Sequence, residues 1–173
     1  MTAAELVHVS YPDKVTELVR GILVVHEPPG SRHGSIASRL TYFLGDFVYR
    51  NRLGRVFAQD TGFHIESNPD TVRAPDVAFL AEERAGAIQD RGYARVAPDL
   101  VGEVLSPDDR PGEVRDKVAG WLAAGVKLVW VVDPRRRAAD VYRPDGRVSS
   151  GETQLDGEDV LPGFTCAVDE LLV

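Results

Sequence analysis

Cysteine is nearly missing from this sequence, and its scarcity limits what the protein can be. The 173 residues include one cysteine, Cys166, which excludes an internal disulfide and any metal site built from several cysteines. Long apolar runs are missing too, since none approaches the roughly 18 residues that a membrane-spanning helix needs. The first 14 residues lack a basic region followed by an apolar core, so no signal peptide is predicted. We therefore expect a cytoplasmic protein with no membrane partner.

Lysine is the second scarce residue. The 20 basic residues are 17 arginines and three lysines: Lys14, Lys117 and Lys127. The net charge of −7 argues against a protein that simply coats nucleic acid. Six acids and no base lie in residues 152–173, whereas residues 1–151 hold 21 acids and 20 bases. One arginine-rich stretch is either a local basic patch or a scatter of solvated charges: Arg32, Arg39, Arg50, Arg52 and Arg55.

A strand–helix–strand unit is predicted between Pro98 and Pro134. It begins with the apolar run Leu100 to Leu105, continues through a proline- and aspartate-rich turn into an amphipathic helix, and ends in a second apolar run, Val126 to Val132. One acid, Glu103, interrupts the first run. A charge inside a buried strand costs several kcal/mol unless a partner or a metal compensates it, so Glu103 is the first candidate functional residue.

Lys117 on the following helix is the second candidate. At about 100° per residue, it falls on the edge of the apolar stripe, so its stem can pack while its amine reaches past the end of the strand. The alternative is an exposed i,i+4 pair between Glu113 and Lys117, which would contribute a few tenths of a kcal/mol.

The rest of the chain predicts an α/β or α+β fold with a mixed sheet. We expect a single domain over residues 1–173, with a loosely ordered lead-in at residues 1–15. The predicted core order is helix, three strands, helix, strand, with one hairpin before it and one after. The predicted elements are a hairpin at Glu17–Glu27 turning at Arg20-Gly21, a helix at Arg32–Asn51 capped by Ser31, extended segments at Arg55–Glu66 and Val77–Leu80, and a hairpin made of Ala139–Tyr142 and Arg147–Thr153.

Asp76 and Glu103 are predicted to act together. Asp76 follows a proline at the mouth of one strand and Glu103 lies inside the next long one, so pairing of these strands would bring both carboxylates to one edge of the sheet. Two carboxylates with a backbone carbonyl and waters suit Mg²⁺ or Mn²⁺ and not zinc. A nearby lysine can orient an attacking water or neutralise charge on a phosphate. The alternative for Asp76 is a turn or a strand cap.

These residues and their order resemble the PD-(D/E)XK nuclease superfamily. More specifically, four segments look like the Uma-two-type restriction endonuclease family of bacteria. The segments are ELVRGILVVHEPPGSRHGSIASRL, VRAPDVAFL, PDLVGEVLSP and DKVAGWLAAGVKLVWVVDP. No single motif is specific, but the four in order are, and the resemblance runs from about residue 14 to the C-terminus.

The resemblance implies a restriction-endonuclease-like fold and a Mg²⁺- or Mn²⁺-dependent endonuclease acting on DNA. Asp76 and Glu103 would hold the metal and Lys117 would serve the reaction. The superfamily pattern would place lysine two residues after the glutamate, where this chain has Leu105, which implies that the lysine has moved to position 117. His33 matches the family's His-Gly pair at the helix start and would be a secondary member of the site, or a plain helix-start histidine. Gln59, on an intervening strand, can line the same cleft.

Two further points stay open at the sequence level. A non-catalytic nucleic-acid-binding or regulatory protein that keeps the nuclease fold is the alternative to an enzyme. A two-fold homodimer would suit the cutting of both strands of a duplex. No Ser-His-Asp arrangement, phosphate loop or dinucleotide fingerprint is found, and His8, His26 and His64 have no predicted partner.

Overall fold

The structure is a computed structural model that describes residues 1–172. The helices are α1 (Ala3–Leu6), α2 (Ser31–Arg50), α3 (Pro111–Ala123) and α4 (Val168–Leu171). The strands are β1 (Val15–Val19), β2 (Ile22–His26), β3 (Gly54–Ala58), β4 (Phe63–Glu66), β5 (Thr71–Arg73), β6 (Val77–Ala81), β7 (Leu100–Val104), β8 (Leu128–Asp133), β9 (Ala138–Tyr142), β10 (Val148–Glu152), β11 (Gln154–Asp156) and β12 (Thr165–Ala167).

A six-stranded mixed sheet forms the centre of the fold, in the order β10-β9-β8-β7-β6-β3. β7 pairs in parallel with β8, because α3 carries the chain back across the sheet between these two strands. On its other side, β7 pairs antiparallel with β6. A four-stranded sheet, β2-β1-β5-β4, and a two-stranded sheet, β11-β12, accompany it. The α+β class with a mixed sheet is confirmed, and the predicted core order corresponds to α2, β3, β6, β7, α3 and β8.

The alternation of side chains along each strand decides which residues face α2 and which face α3. Along β8, Trp130 packs with α2 on one face, whereas Val129 and Val131 pack with α3 on the other, as the two-residue period of a strand requires. Glu103 stands opposite Val131 in the ladder. Glu103 therefore faces α3, which explains why a residue of that helix can reach it.

A second buried acid, Asp99, precedes β7 at the other end. Its Oδ1 lies 2.7 Å from Nη1 of Arg84 and 2.8 Å from Nζ of Lys127, and its Oδ2 accepts the backbone N–H of Ala81 at 2.9 Å. Burial alone would raise the pKa of Asp99, but the Ala81 hydrogen bond and the two cations outweigh it and hold the pKa below its ordinary value. Asp99 thus joins the excursion between β6 and β7 to the start of β8.

Two details differ from the sequence-based expectations. The lead-in is ordered: Thr2 and Glu5 form a reciprocal capping box at the start of α1, and Leu6 is buried against the β1–β5 sheet. The side chain of Ser31 does not cap α2, since the N-cap is Gly30 and makes no side-chain hydrogen bond. No helix in residues 1–172 has both the length and the hydrophobicity that crossing a bilayer requires.

Candidate functional site

Glu103 is buried in β7 with both carboxylate oxygens bonded to α3. Lys117 Nζ donates to Oε2 at 2.9 Å, and Trp121 Nε1 donates to Oε1 at 2.8 Å. Lys117 and Trp121 are four residues apart, so they lie on the same face of the helix. The exposed pair between Glu113 and Lys117 is not formed, since Glu113 faces Arg110 at 3.7 Å.

The charges around Glu103 do not balance fully. Burial raises the pKa of Glu103, the Lys117 ammonium lowers it only in part, and the Asp76 charge raises it again, so that the pKa is about 7. Burial lowers the pKa of Lys117, but Glu103, Glu17 and Asp76 outweigh that effect and raise it above its ordinary value. Lys117 is therefore a firmly held cation beside an acid that a further cation would stabilise.

Asp76 lies directly before β6, beside Glu103. The ladder pairs Val77 with Gly102, which puts the preceding Asp76 next to Glu103 at the same sheet edge. Asp76 Oδ2 accepts the backbone N–H of Val104 at 2.7 Å. Asp76 therefore has a structural contact, and its functional role stays a prediction. No described residue bonds to Oδ1, which leaves this oxygen for a ligand.

His33 connects α2 to the same acid. Its Nε2 lies 3.1 Å from Asp76 Oδ2, while its Nδ1 is buried without a hydrogen-bond partner among residues 1–172. The hydrogen bond to Asp76 raises the pKa of His33, more than burial lowers it. The structure thus brings together all four predicted residues: His33, Asp76, Glu103 and Lys117.

A fifth residue, Glu17, was missed by the sequence-based prediction. It is 3% exposed on β1, where Oε2 accepts Arg73 Nη1 at 2.9 Å and Oε1 accepts the backbone N–H of Ala74 at 2.8 Å. Burial raises its pKa, but Lys117, His26, Arg73 and Ala74 outweigh burial and lower it to about 2. Glu17 therefore holds the segment that leads into Asp76. An acid inside an apolar strand, the signal used for Glu103, could have found it.

The residues present fit a small hard cation. Asp76 offers a carboxylate oxygen with no protein partner, and each oxygen of Glu103 keeps a second lone pair after its bond to α3. Residues 1–172 contain no group of three or more His, Cys, Asp or Glu placed to hold a metal. Two carboxylates completed by waters and substrate oxygens are the usual protein contribution for Mg²⁺. The same set is poor for zinc, which prefers nitrogen and sulfur ligands.

A second histidine cluster resembles a catalytic triad but is not one. Ser67 Oγ and Asp70 Oδ1 both lie 3.3 Å from the same ring nitrogen of His64, Nε2. A triad needs serine and acid on opposite ring nitrogens, so no proton relay forms. His26, for which the sequence predicted no partner, also lies beside an acid, with its Nε2 3.4 Å from Glu17 Oε2.

Two of the five arginines in the arginine-rich stretch pair with an acid. Arg50 pairs with Asp46 at 2.7 Å, and Arg55 pairs with Glu82. Arg39 donates to the backbone carbonyl of Glu170 at 2.7 Å. Two of the five charges are thus compensated locally, and the choice between a basic patch and scattered arginines stays a prediction.

Comparison with known proteins agrees with this geometry. The model of the Uma2 family, described as "Putative restriction endonuclease", matches residues 3–169. The chain belongs to this family. Its fold is similar to a crystal structure from Anabaena variabilis titled "a putative nuclease belonging to DUF820", with a TM-score of 0.81, 20% sequence identity, and coverage of 99% of this chain and 97% of that one. No curated protein matches the chain. In this Uma2 chain, the two acids and the lysine described above lie directly before β6, on β7 and on α3.

Proposed function

We propose that this Uma2 protein is a divalent-cation-dependent endonuclease that hydrolyses the phosphodiester bonds of DNA. The observation that carries the proposal is the buried Glu103, which is paired with Lys117 beside Asp76 and has its pKa raised to about 7. An acid at that place is short of positive charge. A divalent cation between Glu103 and Asp76 would supply the missing positive charge.

Each residue has a distinct part in the proposed reaction. Asp76 and Glu103 would hold Mg²⁺ or Mn²⁺, which would supply Lewis-acid stabilisation of the phosphate charge. Lys117, held in place by Glu103, directs its ammonium at the attacking water and the phosphate oxygens. His33 orients the Asp76 carboxylate through the 3.1 Å contact. Glu17 acts indirectly, by fixing the segment before Asp76.

The test is cleavage of plasmid DNA and of matched DNA and RNA oligonucleotides with Mg²⁺ or Mn²⁺. Wild type should cut DNA, and addition of EDTA should stop the reaction. Asp76→Ala should be inactive while its circular dichroism spectrum stays that of wild type. Cutting by Asp76→Ala at the wild-type rate would show a contaminant or another site.

The alternative is a non-catalytic nucleic-acid-binding protein with the same fold. The ion pair between Lys117 and Glu103 favours this alternative, because such a pair can stabilise the fold without taking part in catalysis. Binding of DNA without cleavage under every metal condition would select this alternative. We further propose a cytoplasmic location and a two-fold dimer on duplex DNA, and a strictly monomeric mass in solution at high protein concentration would overturn the dimer.

A further inference from the structure

A small cleft lies beside the acids, between α2 and the end of β3. It has a volume of about 230 Å³ and is lined by Gly34, Ala37, Ser38, Thr41, Ala58 and Gln59. None of these residues is charged. Small side chains on successive turns of α2 leave the space open, and a Cβ atom added at Gly34 would meet nothing within 4 Å.

Two independent features place this cleft next to Asp76. Ala58 pairs with Val77 in the β3–β6 ladder, so the residues that flank this pair, Gln59 and Asp76, are neighbours across the sheet edge, where paired residues lie about 5 Å apart. Gly34 follows His33, whose ring contacts Asp76 at 3.1 Å. A group in the cleft would therefore adjoin a phosphate held at the acids.

Gln59 carries an unmet hydrogen-bonding capacity at this place. Its Oε1 is buried and has no hydrogen-bond partner among the described residues. Buried polar atoms in proteins nearly always have a partner, and an exception calls for an explanation. A donor that enters with the ligand would provide one, once the Gln59 amide turns towards the cleft.

We infer that the cleft is a nucleoside subsite, in which Gln59 accepts a hydrogen bond from the exocyclic amino group of the base next to the cleaved bond. The inference rests on the proposed function. An uncharged lining suits a sugar and base and not a phosphate, and 230 Å³ is below the roughly 300–1,000 Å³ of sites for drug-sized ligands. Adenine, cytosine and guanine carry an amino group, whereas thymine does not.

The test compares Gln59→Met with Gln89→Met, a matched change at an exposed glutamine. Product ends from a random-sequence DNA would be sequenced. Wild type and Gln89→Met should disfavour thymine at one position beside the cut, by about tenfold. Gln59→Met should lose that bias and raise KM by a similar factor, with kcat nearly unchanged. Identical end statistics in Gln59→Met and wild type would overturn the inference.

Gly34→Leu tests the same subsite by filling it. Leucine favours a helix over glycine, and open space surrounds the position, so the variant should fold and raise KM by about tenfold or more. An unchanged KM in Gly34→Leu would mean that the cleft stays empty during the reaction.

A failure of the proposed function can be told from a failure of the subsite. If wild type cuts no DNA, binding of a labelled oligonucleotide is measured by fluorescence anisotropy. Weaker binding by Gln59→Met and Gly34→Leu, with Gln89→Met equal to wild type, would keep the subsite and reject the nuclease. Equal binding by all variants, or no binding at all, would reject the subsite.

Discussion

The two ends of β7 hold a buried acid each, and both acids are paired with lysine. Asp99 meets Lys127 at 2.8 Å and Glu103 meets Lys117 at 2.9 Å. Asp99 also has Arg84 and a backbone N–H, and its pKa is lowered. Glu103 has one cation, an indole N–H and a neighbouring acid, and its pKa is raised. The negative charge of the acid is thus compensated at the Asp99 end of β7 and undercompensated at the Glu103 end.

This difference separates a structural ion pair from a site that is ready for a ligand. Around Asp99 the protein supplies enough positive charge to hold the pKa of the acid below its ordinary value. Around Glu103 it supplies less, because Asp76 competes for the same compensation. Electrostatic balance inside the protein therefore distinguishes two pairs that look alike in residue type and distance.

The largest difference should appear in activity, between Lys117→Met and Lys127→Met. Methionine keeps most of the apolar stem and removes the charge. Loss of Lys117 should reduce DNA cleavage by at least about a hundredfold, within the range known for loss of one electrostatic donor. Loss of Lys127 should leave cleavage per folded molecule within about twofold of wild type. Initial rates on the same DNA would show this, and equal rates in the two variants would remove Lys117 from the reaction.

The next difference should appear in stability, where a change at Asp99 should have a larger effect than a change at Glu103. Asp99→Asn should lower the free energy of unfolding by about 2 kcal/mol, which is less than the 3–5 kcal/mol typical of a broken buried pair because Lys127 can turn into solvent. Glu103→Gln should change it by less than about 1 kcal/mol in metal-free buffer at neutral pH, since it also removes an undercompensated charge. Urea unfolding measures both. A larger loss in Glu103→Gln would contradict the assignment of the deficit to Glu103.

The contributions of Glu103 and Glu17 to stability should change with pH in opposite directions. The folded pKa of Glu103, about 7, lies above its ordinary value of 4.5. The folded form therefore keeps a proton that the unfolded form releases between these values, and this contribution to stability falls as pH rises from about 4.5 to 7. Glu17, with a pKa of about 2, contributes stability that is present above pH 4.5 and is lost as pH falls towards 2.

Unfolding free energies of wild type and Glu103→Gln from pH 4.5 to 8, with EDTA present, measure the contribution of Glu103. The advantage of wild type over the variant should shrink up to about pH 7 and then stay constant. Parallel curves across the whole range would show that Glu103 titrates at its ordinary value.

The smallest effect should come from the exposed face of α3. Glu113 and Arg110 are both mostly exposed and lie 3.7 Å apart, so Glu113→Ala should change the unfolding free energy by less than about 0.5 kcal/mol. Cleavage should be unaffected. A clear loss of activity in Glu113→Ala would instead favour a surface pair between Glu113 and Lys117, which the structure does not contain.

Local periodicity was sufficient to predict the placement of Glu103 and Lys117. The two-residue alternation of β7 and the 3.6-residue turn of α3 each decide where a side chain points. The contact between Lys117 and Glu103 then follows from the short connection between β7 and α3, which brings the first turns of α3 near the end of β7. Whether these residues catalyse cleavage stays a prediction, because geometry alone does not measure a rate.

Other parts of the site depend on chain segments that are distant in sequence. Glu17 reaches the Asp76 segment from the first hairpin, which belongs to a different sheet. Trp121 is an apolar residue of the predicted amphipathic helix, and nothing in the local sequence indicates that its N–H bonds to Glu103. The two cations on Asp99 likewise come from separate segments, Arg84 from the 3-10 helix Glu82–Ala87 and Lys127 from the position directly before β8. Such contacts follow from how the elements pair in space, which no local pattern specifies.

The indole of Trp121 gives the protein an optical reporter inside the site. The chain has two tryptophans. Trp130 is stacked on Phe164 in the opposite core, with ring centroids 5.6 Å apart, so its emission supplies a constant background. Trp121 donates a hydrogen bond to Glu103, so we expect its emission to respond to the charge on that carboxylate. Protonation or ligand arrival at Glu103 can therefore be followed in the native protein by its own fluorescence, with no dye attached.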